Sequence, residues 1–338
     1  MNEPPGSGTR AEASRLLAAT RAVAIAGATA VGKSAVALCV AEALDAEILS
    51  VDSMQVYRGL DLGTAKPTPA EQARVPHHLL DVADLREPFD AARWRELALA
   101  VLRDLAERGR RAVLCGGTGL YFRVLEAGLG LTPPTNPTLR AELENTPLPD
   151  LLAELAARDP ATFARVDQRN PRRVFRAVEI LRLTGRPASE QRPDWSDADG
   201  GAAAFPLFAL VRETADLHAR IATRVDAMFA GGLVDETRRA LALGLGENRI
   251  ALQAIGYRQV AEHLAGERDL AATVALVKTR TRQFARRQMT WFRHQARARW
   301  LPIEAQEPPA LTAARIMAAL DHEKSADARK GQGNPVAC

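Results

Sequence analysis

Gly27-Ala28-Thr29-Ala30-Val31-Gly32-Lys33-Ser34 lies between an apolar run, Ala22 to Ala26, and a helix-forming one, Ala35 to Leu44. The stretch fits G-x-x-x-x-G-K-[ST], and a strand before it and a helix after it are the setting that pattern requires. Gly27 and Gly32 permit a tight loop with inward-facing backbone N–H groups. Lys33 adds a point charge, and the following helix adds its positive N-terminal end. Two linked phosphates fit such a cradle, and Ser34 is placed to bind a Mg²⁺ bridging their oxygens. By chance the four constrained positions co-occur on the order of once in a hundred chains of this length, and less often with these flanks.

Working outward, Ile48 to Val51, Ala91 to Leu105 and Ala112 to Cys115 continue an alternation of short apolar runs and longer helical patterns. That alternation predicts an α/β fold of the phosphate-loop type, a parallel sheet flanked by helices. The second strand ends in Asp52-Ser53-Met54-Gln55, which puts Asp52 at a carboxyl end of the sheet, where such folds bind ligands. A carboxylate there can bind magnesium through water or take a proton from a nucleophile. A third strand runs into Gly116-Gly117-Thr118-Gly119, whose glycines allow close backbone approach while Thr118 offers a hydroxyl. From residue 123 to 200 the texture turns helical, Arg-rich and punctuated by proline, which predicts a helical insertion. Pro206 to Val211 reads as a returning strand, followed by three or four helices to Ala298. The expected organisation is a flexible leader at 1–20, a phosphate-loop core at 21–122 and 201–305, the insertion at 123–200, and a C-terminal segment at 306–338 ending in a disordered tail.

With 47% apolar and 25% charged residues, the chain can bury a large core, which excludes global disorder. No apolar run reaches the roughly 18 to 20 residues that span a bilayer, and the start lacks a signal peptide's apolar stretch. A cytoplasmic protein with no membrane association and no evident obligate protein partner is expected. The three cysteines include no C-x-x-C pair, so Cys39 and Cys115 read as core thiols. His77 and His78 are adjacent, and adjacent side chains diverge, so no zinc site is assigned to them.

The loop Gly27 to Ser34, the run Asp52 to Pro67, Pro76-His77-His78-Leu79-Leu80-Asp81 and Gly116 to Tyr121 follow in the order and spacing of tRNA dimethylallyltransferases. Asn170-Pro171-Arg172-Arg173, Ala254 to Gln259 and Arg286 to Arg293 continue the match, which covers roughly residues 23 to 300. The sequence resembles that family, in its shorter bacterial form; the tail has only His322 and Cys338 where some relatives carry a zinc finger. The resemblance implies transfer of a dimethylallyl group from dimethylallyl diphosphate to the N6 amine of adenine 37, beside the anticodon in the tRNA anticodon stem-loop. By the same resemblance Asp52 is the general base, Thr118 lies near the reacting amine, and Asp52, Ser53, Met54 and Gln55 receive the target base. Arg140, Gln168, Arg169, Asn170, Pro171, Arg172, Gly256, Tyr257, Arg258 and Gln259 are similar to positions that contact tRNA. Ala28 stands where the family usually has proline, a small departure.

The chemistry asks for these residue types. Breaking an allylic C–O bond leaves charge on the diphosphate, which fixed donors such as the loop amides, Lys33, Mg²⁺ near Ser34, and Arg220 or Arg224 would stabilise. Arg220 and Arg224 fit equally well as a solvated helix face. From Lys278 to Arg299 there are eight basic and no acidic residues, and from Arg165 to Arg192 eight basic against three acidic. At about 100° per residue, Val277, Thr281, Phe284, Gln288 and Trp291 form one stripe of a helix, with Arg282, Arg286, Arg293 and Arg297 opposite. Two cationic surfaces suit a curved polyanion, and the target nucleotide would turn out of its stack into a pocket between loop and insertion. Tyr257, Phe284, Trp291 and Phe292 are read as core rather than stacking platforms. The competing functions are a small-molecule kinase using ATP, an adenylate dimethylallyltransferase, and a nucleotide-gated RNA-binding protein.

Overall fold

The computed structural model describes residues 10–130, 132–191 and 204–331. The chain divides into two compact units, Met1–Glu126 with Ala202–Cys338, and Ala127–Gly201. In the first, six strands form one sheet: β1 (Val23–Gly27), β2 (Ala46–Val51), β3 (His77–His78), β4 (Arg111–Gly116), β5 (Leu207–Val211) and β6 (Arg299–Pro302). Their order is β3-β2-β4-β1-β5-β6, and every pairing among the described residues is parallel. Because both faces are covered, the central strands are apolar at consecutive positions. Val23 and Ile25 pack on one face with the helices Lys33–Leu44 and Pro309–Gly331. Ala24 and Ala26 pack on the other with Ala91–Glu107.

The chain leaves β1, skips the β4 position to form β2, and later returns on the other side of β1 as β5. Strand order therefore reverses at β1, the place where open parallel sheets form a ligand crevice. Register aligns the carboxyl ends there: Gly27 lies opposite Leu210, and Gly116 opposite both Ala26 and Val51. Whatever follows Gly27, Val51, Gly116 and Val211 must emerge at one edge.

The second unit is helical: Pro137–Asn145, Leu148–Arg158, Pro160–Arg165, Pro171–Thr184 and Ala188–Gln191. Pro137, Pro149, Pro160 and Pro171 stand in the first turns of its helices, where the missing N–H costs nothing. Leu143, Leu151, Leu155, Val174, Ala177 and Val178 form its own core. It starts slightly after residue 123 because the helix Gly119–Ala127 keeps Phe122 and Leu125 buried in the first unit.

Several expectations need correction. Residues 10–19 form a helix instead of a loose leader, with Ala13 and Leu17 buried and Glu12 paired to Arg103 at 2.6 Å. The final helix, anchored by Ala313, Ile316 and Leu320, continues to Gly331 through part of the expected polar tail. Residues 332–338 lie outside the described residues. The helix beginning at Leu270 ends at Gln295, before Arg297, and Arg299 and Trp300 belong to edge strand β6. Four residues are too short a run to announce a strand.

Candidate active site

The phosphate loop begins where β1 stops. Gly27 has φ 143°, and a Cβ there would lie 2.7 Å from the Leu210 carbonyl oxygen, so no larger residue fits. Ala28 and Val31 turn their side chains into the core, and Gly32 starts the helix Lys33–Leu44. The loop is braced from several directions. Lys33 Nζ donates to Ala28 O at 2.7 Å, Arg220 Nε to Ala30 O at 2.9 Å, and Arg212 Nε to Val31 O at 2.8 Å. The Thr29 amide donates to Gln288 Oε1 at 2.8 Å. Arg220 and Arg224 thus turn toward the loop and are not a solvated face.

Burial lowers the Lys33 ammonium to about 8, with Arg224 pushing the same way and Cys115 and Asp52 opposing. Burial also lowers Arg224, and Arg220 adds like-charge repulsion. Neither Lys33 nor Arg224 has a carboxylate at salt-bridge distance among the described residues. Desolvated cations without a protein anion are costly, and this pair marks a place prepared for an anionic ligand.

Two cavities meet here. The first, about 630 Å³ with its open mouth, is lined by Lys33, Ser34, Ser50, Gln55, Cys115 and Gly116. The second, about 1010 Å³ on the same measure, is walled by Ser53, Met54, Thr118, Met228, Ile255 and Val277. Thr29, Asp52, Thr64, Arg224 and Phe284 border both. Asp52 is rigidly held: its Oδ1 accepts from Met54 N at 2.8 Å and Gln55 N at 3.3 Å. Ser53 N donates to Thr118 Oγ1 at 3.1 Å, tying the strip after β2 to the turn after β4. The Gln55 side-chain amide is spent on the wall, donating to Thr64 O and Ala65 O while its Oε1 accepts from Ser50 Oγ.

Ser34 is exposed in the first cavity. The nearby donors are oxygens, namely the Ser34 hydroxyl and the Asp52 carboxylate. No cluster of three or more His, Cys, Asp or Glu among the described residues could cage a metal. This set fits a hard cation that draws most of its ligands from a diphosphate and water.

Other expected residues fall elsewhere. Tyr257 is fully buried, with its hydroxyl donating to Glu236 and accepting from Gly63 N at 3.1 Å. Gln259 is also buried and accepts from Gly256 N at 2.9 Å. Neither is free to touch RNA directly; they hold the Leu62 to Ala65 wall and the segment after Ile255. Arg258 is exposed and pairs with Glu262. In the helical unit, Arg140 is turned inward, 3.7 Å from buried Glu179 and over the Phe175 ring. Gln168, Arg169, Pro171 and Arg172 are exposed there, and Asn170 precedes the helix Pro171–Thr184. Arg282, Arg286 and Arg293 form an exposed face of the helix Leu270–Gln295.

Cys39 and Cys115 are half-buried, not sealed core thiols, and Cys115 borders the first cavity with its thiol pushed up to about 11 by burial. Phe284 also lines both cavities, contrary to its reading as core. His77 and His78 diverge, to Val75 O and Glu47 Oε2 respectively. Reading the sequence missed Arg212 and misassigned Gln288 to packing. No local motif signals either, because the loop atoms they brace are more than 170 residues away in the chain.

Known proteins resemble this chain in sequence and in fold. The profile of the family described as IPP transferase matches residues 55–295. The chain is 46% identical over 285 residues to "tRNA dimethylallyltransferase 1" of Trichlorobacter lovleyi, covering 83% of this chain and 93% of that one. It is 46% identical over 291 residues to a tRNA dimethylallyltransferase of Anaeromyxobacter dehalogenans, covering 83% and 94%. The crystal structure of the full-length tRNA isopentenylpyrophosphate transferase of Bacillus halodurans superposes with TM-score 0.66 at 34% identity, over 91% of this chain and 99% of that one. A eukaryotic dimethylallyltransferase acting on tRNA gives TM-score 0.67 at 25% identity, over 84% and 74%. No helix among the described residues is long and apolar enough to cross a membrane. With a phosphate loop and a strand-end carboxylate at one sheet edge, and likeness of this extent, the chain belongs to the IPP transferase family.

Proposed function

We propose that this chain transfers the dimethylallyl group of dimethylallyl diphosphate to the N6 amine of adenine 37 in tRNA. The observation carrying this reading is Asp52 on the border of two unlike cavities, one lined by Lys33 and Ser34 of the phosphate loop, the other walled by Met54, Met228, Ile255 and Val277. A kinase would also need an acceptor pocket beside the first cavity, but Met54, Met228, Ile255 and Val277 suit a five-carbon allyl group more than a small hydroxyl compound.

The loop amides, Lys33, Arg220 and Arg224 bind the diphosphate and hold fixed positive charge where the leaving group gains negative charge. Mg²⁺, held by Ser34 Oγ and diphosphate oxygens, would supply further positive charge to that departing anion. The apolar walls keep water from the electron-poor allyl carbon. Asp52 takes the proton from the adenine amine as its nitrogen bonds to carbon, with Oδ1 fixed by the Met54 and Gln55 amides and the other oxygen left for the substrate. Thr118, bordering the second cavity, orients the extruded base there. Exposed Arg282, Arg286 and Arg293, together with Arg169 and Arg172 of the helical unit, supply phosphate contacts that hold tRNA by backbone shape.

The test is incubation with radiolabelled dimethylallyl diphosphate or ATP, with bulk tRNA, adenosine monophosphate or no acceptor. Label is expected in tRNA from the prenyl donor alone; label passing from ATP to a small molecule would overturn the reading. Asp52→Ala should lower turnover by about 10² to 10⁴ while tRNA binding survives. Undiminished turnover would remove Asp52 as the base.

A further inference from the structure

Gln288 lies on the buried face of the helix Leu270–Gln295, at 7% exposure. Its Oε1 accepts from the Thr29 amide at 2.8 Å, and its Nε2 donates to the Gly117 carbonyl at 3.0 Å. A carboxamide presents acceptor and donor on one planar group, so both bonds fix its orientation as well as its place. The two loops it joins have separate parts in the site. Thr29 belongs to the phosphate loop, whereas Gly117 precedes Thr118, whose hydroxyl accepts from the amide of Ser53, next to Asp52. The fit leaves no space: a Cβ at residue 117 would lie 2.2 Å from Gln288 Nε2.

We propose that Gln288 is a positioning residue whose amide sets the spacing between the phosphate loop and the Thr118–Ser53–Asp52 side of the site. The inference rests on the transferase reading above, in which the loop holds the leaving group and Asp52 serves the acceptor. Reaction between two such partners depends on their separation, and a shift of about 1 Å is enough to cost about 10²-fold in rate. Without the bridge, the loop keeps its braces from Arg212 and Arg220 and the other side keeps the Ser53–Thr118 bond, but the amide no longer fixes the distance from Thr29 to Gly117, which is free to change.

The experiment compares Gln288→Met, similar in length but without the amide's donor and acceptor pair, with Gly117→Ala, which displaces the amide while leaving Gln288 in place. Each should lower kcat for tRNA prenylation by about 10²-fold, and the double variant should fall no further, because one bridge is lost in all three. The tRNA dissociation constant should be unchanged, whereas a general loss of fold would take tRNA binding with it. Losses that multiply in the double variant, or full kcat in Gln288→Met, would overturn the proposal. Gln288→Asn, with the same groups on a shorter arm, replaces the Met variant if that one does not fold. Binding of inorganic diphosphate to the same variants, measured by calorimetry, should weaken about tenfold whatever the acceptor; undiminished binding also counts against the bridge. If wild type binds diphosphate yet leaves tRNA unlabelled, the transferase reading fails, and calorimetry still decides the bridge.

Discussion

Lys33 and Arg224, at the carboxyl edge of the sheet, and Arg182, in the helical unit, are all cations partly withdrawn from water, under opposite conditions. Burial holds the first two below their ordinary values, and neither has a protein carboxylate at salt-bridge distance among the described residues. Arg182 is pushed up by Glu154, which it meets at 2.7 Å, with Glu142 at 2.6 Å. Arg176 is likewise paired, 2.8 Å from Glu179. A desolvated charge without a counterion persists where something outside the chain supplies the anion, whereas a paired one needs no ligand. Cations in the helical unit therefore have to be sorted: Arg140, Arg176 and Arg182 hold the fold, whereas Arg165, Arg169 and Arg173 are exposed.

This contrast makes quantitative demands. Arg224→Met should lower prenyl transfer by about 10² to 10³, the scale for losing one preorganised charge donor. Thermal stability should hold or rise, because a desolvated charge has been removed; a lower Tm with undiminished turnover would put Arg224 in the same class as Arg182. Replacing Arg282, Arg286 and Arg293 by Gln should weaken tRNA binding across sequences and reduce the slope of log affinity against log salt by about 2 to 3. An unaltered slope would mean that this face does not meet phosphate.

The pH dependence of donor binding follows from Lys33. Without ligand its ammonium titrates at about 8, and a bound diphosphate favours the charged form. Below that pH the lysine is charged before and after binding, so affinity is flat. Above it, binding must take up a proton, and affinity falls by up to about tenfold per pH unit until the bound-state value is passed. Titration calorimetry of dimethylallyl diphosphate from pH 7 to 10 checks this, with Lys33→Met as the control that should lose the dependence. The smallest effect is expected in the helical unit: Arg182→Met should cost about 1 kcal/mol in denaturant unfolding, since the pair is partly solvent-screened. Diphosphate affinity should be untouched, and a loss there would erase the distinction between the two environments.

The features legible in the sequence were those whose cause is local. The phosphate loop is a backbone conformation written by Gly27 and Gly32, and Asp52 follows a run apolar enough to be a strand, so both could be read in place. The parallel sheet followed from consecutive apolar residues between helical stretches. Less legible were residues whose neighbours come from elsewhere. Tyr257 looked like a residue offered to RNA, yet its hydroxyl is committed to Glu236 and Gly63. Phe284 and Gln288 share a packing stripe, but the cavities open against that stripe. The leader helix escaped notice because two buried residues, Ala13 and Leu17, are too few to reveal a period.

The amino-acid order alone therefore determined the phosphate cradle, the acid placed after the second strand, the βαβ rhythm and the family, because each is written in short local stretches, the last two by the order of such stretches along the chain. Only the tertiary structure decided that Arg212, Arg220 and Gln288 brace the cradle and that Asp52 borders two cavities. It also decided which arginines are already paired. Those outcomes depend on strand register and helix packing across well over a hundred residues, and on how much water each charge retains, which no short-range pattern encodes.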